Sequence, residues 1–122
     1  MVGAHLSGLP LNGQLLERGA TLIEATTTAP SYRLYALPAT QPPKPGLVRA
    51  AEGGAAIALE VWALPLAAVG SFLALIAPPL GLGNVELADG RVVKGFLCEP
   101  HALAGAHEIS AQGGWRAYLA TL

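Results

Sequence analysis

The chain has 122 residues, of which 52% are hydrophobic and 12% charged, and its net charge is −1. That length suits a single domain over 1–122, and a charged fraction about half the usual one leaves a thin polar surface, which points to a homodimer or to a covering partner. With 7 Lys+Arg against 8 Asp+Glu and no basic run, the positive footprint that nucleic-acid binding requires is missing.

In chain order, Met1 to Leu6 is short and apolar and reads as a buried strand. Leu11, Leu15 and Leu16 lie on one side of a short helix that Asn12 would cap and Gly19 would close. Thr21 to Thr28 is β-branched and reads as a strand. Tyr32 to Leu37 alternates, which predicts another. "QPPKPG", Gln41 to Gly46, predicts a turn or rigid loop, and Leu47 to Ala51 a short strand.

Ala56 to Leu64, "AIALEVWAL", is the strongest strand by composition. Pro65 suits the first turn of a helix to about Ala77, buried on most sides. Three prolines break the uncharged run from Val61 to Leu80, so it is not read as a membrane span. Asp89-Gly90 between "VEL" and "VVKGFLC" is the clearest hairpin. Glu99 to Ala106 reads as loop or helical turn, and Trp115 to Leu122 as a terminal helix. The sum is α+β: a small curled sheet or barrel with two or three helices.

Two residues stand out chemically. His5 ends an apolar run where a Gly/Ser turn begins, a position where side chains meet ligands; the bland alternative is a half-buried histidine bonded to a backbone carbonyl. Glu60 is a carboxylate inside an apolar strand, which is costly unless it is paired, hydrogen-bonded or protonated. Its bland alternatives are an edge position facing water, or a pair with Arg33, Arg49 or Lys94. Lys94 itself reads as a solvent-exposed lysine, and Tyr32 as a core or wall residue. Cys98 has no partner for a disulfide and reads as a small core hydrophobe. An odd cysteine and no positive segment before an apolar core lead to the expectation of a cytoplasmic protein without a secretory leader. Cys98-x-x-His101 is only half of a metal site, and no second pair exists, so no metal is expected.

Several stretches, in order and over nearly the whole chain, resemble the C-terminal domain of allophanate hydrolase: "VGAHLSGLPLN", "TTTAPSYRLYALP", "KPGLVR", "ALEVWALP", "GLGNVELADGRVVKGFLCEPHAL" and "GGWRAYLA". The serine-lysine amidase domain of that enzyme is absent, so the resemblance implies a stand-alone version. It also implies a γ-glutamylcyclotransferase-like fold, in which a loop after the first strand binds a substrate carboxylate through backbone amides. Gly3 to Gly8, "GAHLSG", falls in that place. Cyclotransferases also use an acid at the start of the helix after the "EVW"-like strand. This chain has no acid from Val61 to Val85, which argues against γ-glutamyl cyclotransfer and leaves it the weakest alternative.

For allophanate hydrolase the resemblance implies decarboxylation of N-carboxycarbamate, with no cofactor. His5 would be the general acid. Gly3, Ala4, Leu6, Ser7, Asn12, Tyr32, Glu60 and Lys94 would contact the small carboxylate substrate. The rival expectation is a non-catalytic accessory subunit that docks on a separate amidase protein.

Overall fold

The computed structural model describes residues 1–122. Three short helices and seven strands follow one another as α1 (Asn12–Leu16), β1 (Thr21–Thr27), β2 (Tyr32–Ala36), β3 (Pro45–Arg49), β4 (Ala58–Ala63), α2 (Val69–Leu73), β5 (Leu80–Glu86), β6 (Val92–Cys98), β7 (His107–Glu108) and α3 (Trp115–Leu119). They form three small antiparallel sheets, β1–β4, β3–β2–β7 and β5–β6. The fold class is therefore α+β. The sheets stay open, so the barrel alternative is not realised. Single bridges join Thr28, just after β1, to Leu87, just after β5, and Tyr32 of β2 to Ala55 in the segment before β4.

The strand assignments from alternation hold within a few residues, because each strand puts one face on a common core. Leu6, Tyr32, Leu34, Leu47, Ile57, Leu59, Leu87, Ile109 and Trp115 make up its centre. Asp89-Gly90 turns the β5–β6 hairpin with Gly90 at φ 91°, a conformation favoured in glycine. The short β7 was not expected. It exists because β2 has a free edge there, pairing Tyr35 with Glu108 and Ala36 with His107.

Three expectations fail for identifiable reasons. Met1 to Leu6 is not a strand. Met1 pairs with β4 through Glu60 N–H to Met1 O at 2.9 Å, but the chain then turns, with Leu6 N–H on Gly3 O at 2.9 Å. Leu11 N–H returns to Ala4 O at 2.9 Å, so the segment satisfies its backbone within itself. The helix expected from Pro65 to Ala77 is a 3-10 turn, Leu66–Ala68, followed by the short α2. Gly70 lies inside it, and Ala77 precedes Pro78, which disfavours helical backbone. Only Phe72 of α2 is buried, and Leu66 is 89% exposed. The cap of α1 also differs. Leu11 occupies the cap position, while Asn12 Nδ2 donates to His5 O at 2.9 Å.

Candidate functional site

The turns at the N-terminus, β4, α2 and the β5–β6 hairpin enclose a cavity of about 360 Å³. Gly3, Ala4 and His5 line it from one side and Phe72, Leu73 and Ile76 from another. Strand alternation in the hairpin puts Leu82, Lys94 and Phe96 on the face toward it, with Leu82 opposite Phe96 and Asn84 opposite Lys94.

His5 is 8% exposed. Its ring meets Phe72 edge-on at 5.2 Å and Phe96 at 6.2 Å. His5 Nε2 lies 2.7 Å from Gln14 Oε1. With that oxygen as acceptor, Nε2 carries the hydrogen, and Nδ1 is left with no partner in the protein. Burial pushes the imidazole pKa below its ordinary 6.5. The bond to Gln14 opposes this and the nearby Lys44 charge reinforces it. The free site thus holds a neutral histidine at pH 7 rather than a ready-made acid.

The loop's backbone divides. Leu6 N–H is used by Gly3 O, and Ser7 N–H donates to Glu60 Oε1 at 2.8 Å. These two amides are not free to meet a ligand, contrary to the expectation that all of Gly3 to Ser7 would donate. The amides of Gly3, Ala4 and His5 have no partner in the protein, and all three residues line the cavity.

Glu60 reaches the cavity edge, but its carboxylate is already engaged. Oε1 accepts from Ser7 N–H, from Ser7 Oγ at 3.2 Å and from Trp62 Nε1 at 3.1 Å, while Oε2 accepts from Arg116 Nη2 at 3.3 Å. Burial alone would raise its pKa. The hydrogen bonds from Ser7, Trp62 and Arg116 outweigh it and hold the group below its ordinary 4.5. Its ionic partner is Arg116, not Arg33, Arg49 or Lys94. Glu60 is therefore an anchor for the His5 loop, with Arg116 also donating to Ser7 O at 2.5 Å.

Three other expected contacts lie elsewhere. Tyr32 is fully buried in the core, and its hydroxyl accepts Glu86 N–H at 2.9 Å, so it has no surface to close a pocket. Asn12 is buried against the His5 carbonyl, and Leu6 packs in the main core. Lys94 does line the cavity, at its exposed mouth, with Nζ on Asn84 Oδ1 at 2.8 Å. Cys98 is buried, which pushes its thiol pKa up and makes it a poor nucleophile.

Lys44 was not anticipated. Its backbone N–H donates to Thr40 Oγ1 at 2.9 Å and its carbonyl accepts Leu37 N–H at 3.1 Å. The residue lines the cavity, its ammonium has no acidic partner, and its charge is felt at His5. Only its place in "QPPKPG", a rigid segment just before β3, hinted at a fixed position.

The family model described as allophanate hydrolase C-terminal domain matches residues 1–120. Urea amidolyase of Saccharomyces cerevisiae is 43% identical over 100% of this chain, and that of Lachancea kluyveri 44% over 98%. The chain spans only 7% of each of these curated relatives. The crystal structure of Kluyveromyces lactis urea amidolyase superposes with a TM-score of 0.95 at 44% identity, covering 98% of this chain and 8% of that one. A uropathogenic E. coli-specific protein, 33% identical, superposes with a TM-score of 0.90 and is 93% covered, against 99% of this chain.

Proposed function

The chain belongs to the allophanate hydrolase C-terminal domain family, and on that premise we propose that it binds N-carboxycarbamate in the cavity beside His5 and assists its loss of carbon dioxide. This is the small dianion left when ammonia is removed from allophanate. The observation that carries the reading is that Lys44, which has no acidic partner, lines the same cavity as His5 and three backbone amides with no partner. Together they offer fixed donors to carboxylate oxygens in a partly dry site, where such donors are worth more than in water.

The chemistry needs one proton. As the C–N bond breaks, its electron pair stays on nitrogen, which takes the proton, and the products are carbamate and carbon dioxide. In the free site His5 is neutral. A dianion beside it favours the imidazolium, so binding draws a proton onto Nδ1, and that proton is then available to the substrate nitrogen. Glu60 and Arg116 act through the loop and touch no reacting atom.

The test supplies N-carboxycarbamate from an allophanate-cleaving amidase and follows carbon dioxide release with and without this chain. Acceleration is expected, and His5→Ala should reduce the chain-dependent rate by about 10²–10⁴-fold. Release that does not depend on the chain, or that survives in His5→Ala, overturns the assignment.

A second reading, an accessory unit docked on a separate amidase, is favoured by the exposed Leu66 (89%) and Ile23 (58%). It predicts a stable complex with the amidase and no effect of His5→Ala.

A further inference from the structure

The cavity is a poor match in size for a dianion with only two carbon atoms. Its volume is about 360 Å³, equivalent to roughly a dozen waters at about 30 Å³ each. Lys44 and the free amides serve an anion. The remaining wall is apolar, made by Trp62, Phe72, Ile76, Leu82 and Phe96. The Phe72 and Phe96 rings are 5.7 Å apart and together flank His5. Such a wall gives a strongly hydrated dianion no compensation for the water it sheds.

We propose that the cavity takes a second class of ligand, a monocarboxylate with an apolar body of about six to ten carbons, its carboxylate against Lys44 and the Gly3–His5 amides and its body along Phe72, Ile76 and Phe96. The inference shares only the anion end with the decarboxylation reading. The sign of the charge follows from pairing. Glu60, the one acid lining the cavity, has both oxygens occupied, whereas the Lys44 ammonium has no acid on it. A cationic head group would find no free carboxylate there and only the neutral His5 Nδ1 as an acceptor side chain, while an anionic one finds a lysine and three amides. A carboxylate would also offset the Lys44 field that acts on His5. Leu82 is 49% exposed, so the apolar end opens to solvent and admits a ligand without unfolding the hairpin.

Calorimetric titration of the full chain with butyrate, pentanoate, hexanoate and 4-phenylbutyrate tests this, with hexylammonium, hexanol and malonate as controls. Affinity should rise by about fourfold per added methylene from butyrate to hexanoate. Hexylammonium should bind at least tenfold more weakly than hexanoate. Lys44→Met should weaken hexanoate about tenfold and leave hexanol unchanged. Lys44 is only half-buried, so this variant should fold, which circular dichroism checks. A flat chain-length series, or hexylammonium binding as well as hexanoate, overturns the proposal. If malonate binds while the series is flat, this inference falls and the decarboxylation reading stands. If hexanoate binds while malonate does not and no decarboxylation occurs, the reverse holds.

Discussion

At Glu60 a carboxylate only 8% exposed takes four donor contacts from Ser7, Trp62 and Arg116. Glu60→Ala would leave the Ser7 amide and the Trp62 indole without an acceptor, and should cost about 2–4 kcal/mol in urea denaturation. Glu60→Gln keeps an acceptor and should cost less. Both His5 and Glu60 titrate below their ordinary values, and in each case the unfolded chain binds the extra proton first as pH falls. Stability should therefore decline first as pH falls from 8 toward about 6, because burial lowers the pKa of the Met1 ammonium from 8.0 to about 6, then further below 6.5 as His5 is forced to charge, and again below 4.5 as Glu60 loses its charge. In a pH series of unfolding free energies, His5→Gln should remove the decline that sets in at 6.5 and Glu60→Gln the lowest, while the one that sets in at pH 8 remains in both. The sequence made both residues visible, because each is polar in an apolar run. It hid their partners. Arg116 is 56 residues from Glu60, and Lys44 sits in a proline loop with no periodicity to read.

Among the elements, strands and the hairpin were legible because period-two alternation is preserved wherever one face meets the core. The first residues misled for a physical reason. An apolar hexapeptide satisfies a strand pattern, but the chain folds back onto its own carbonyls, and Gly3 leaves the room that Pro45 takes up. A Cβ at Gly3 would lie 2.5 Å from Pro45 Cδ and 2.8 Å from Pro45 Cγ. Gly3→Ala should thus cost about 1–3 kcal/mol through overpacking, and should weaken malonate binding in calorimetry because the adjacent amides move. The region after β4 misled in the opposite sense, since an unbroken apolar stretch implied a buried helix. The structure buries only one of its side chains and uses three others, Val69, Leu73 and Ile76, as cavity wall.

Across the whole molecule, two apolar clusters divide the labour. The larger joins all three sheets, while the smaller is Leu15, Ala20 and Phe72, beside the cavity. Amide exchange should be slowest in β2 and β4 and much faster in α2, whose backbone rests on few buried contacts. Ligand at one hundred times its Kd should add about 2.7 kcal/mol to global stability, with the largest gain in protection at α2 and the His5 loop. No gain in protection at α2 and the His5 loop would place the ligand elsewhere. No helix is long and apolar enough to cross a membrane.

The junction between Met1 and β4 has a practical consequence for anyone attaching something to this chain. The Met1 nitrogen donates to Glu60 O at 2.7 Å, a bond that an amide N–H makes as readily as an ammonium. A fusion entering through Met1 would join the chain at a residue that lines the cavity. Leu122 is 82% exposed and is not among the residues lining that cavity. Dyes, affinity handles and surface linkers therefore belong at the C-terminal end, and an N-terminal fusion offers a way to crowd the entrance deliberately.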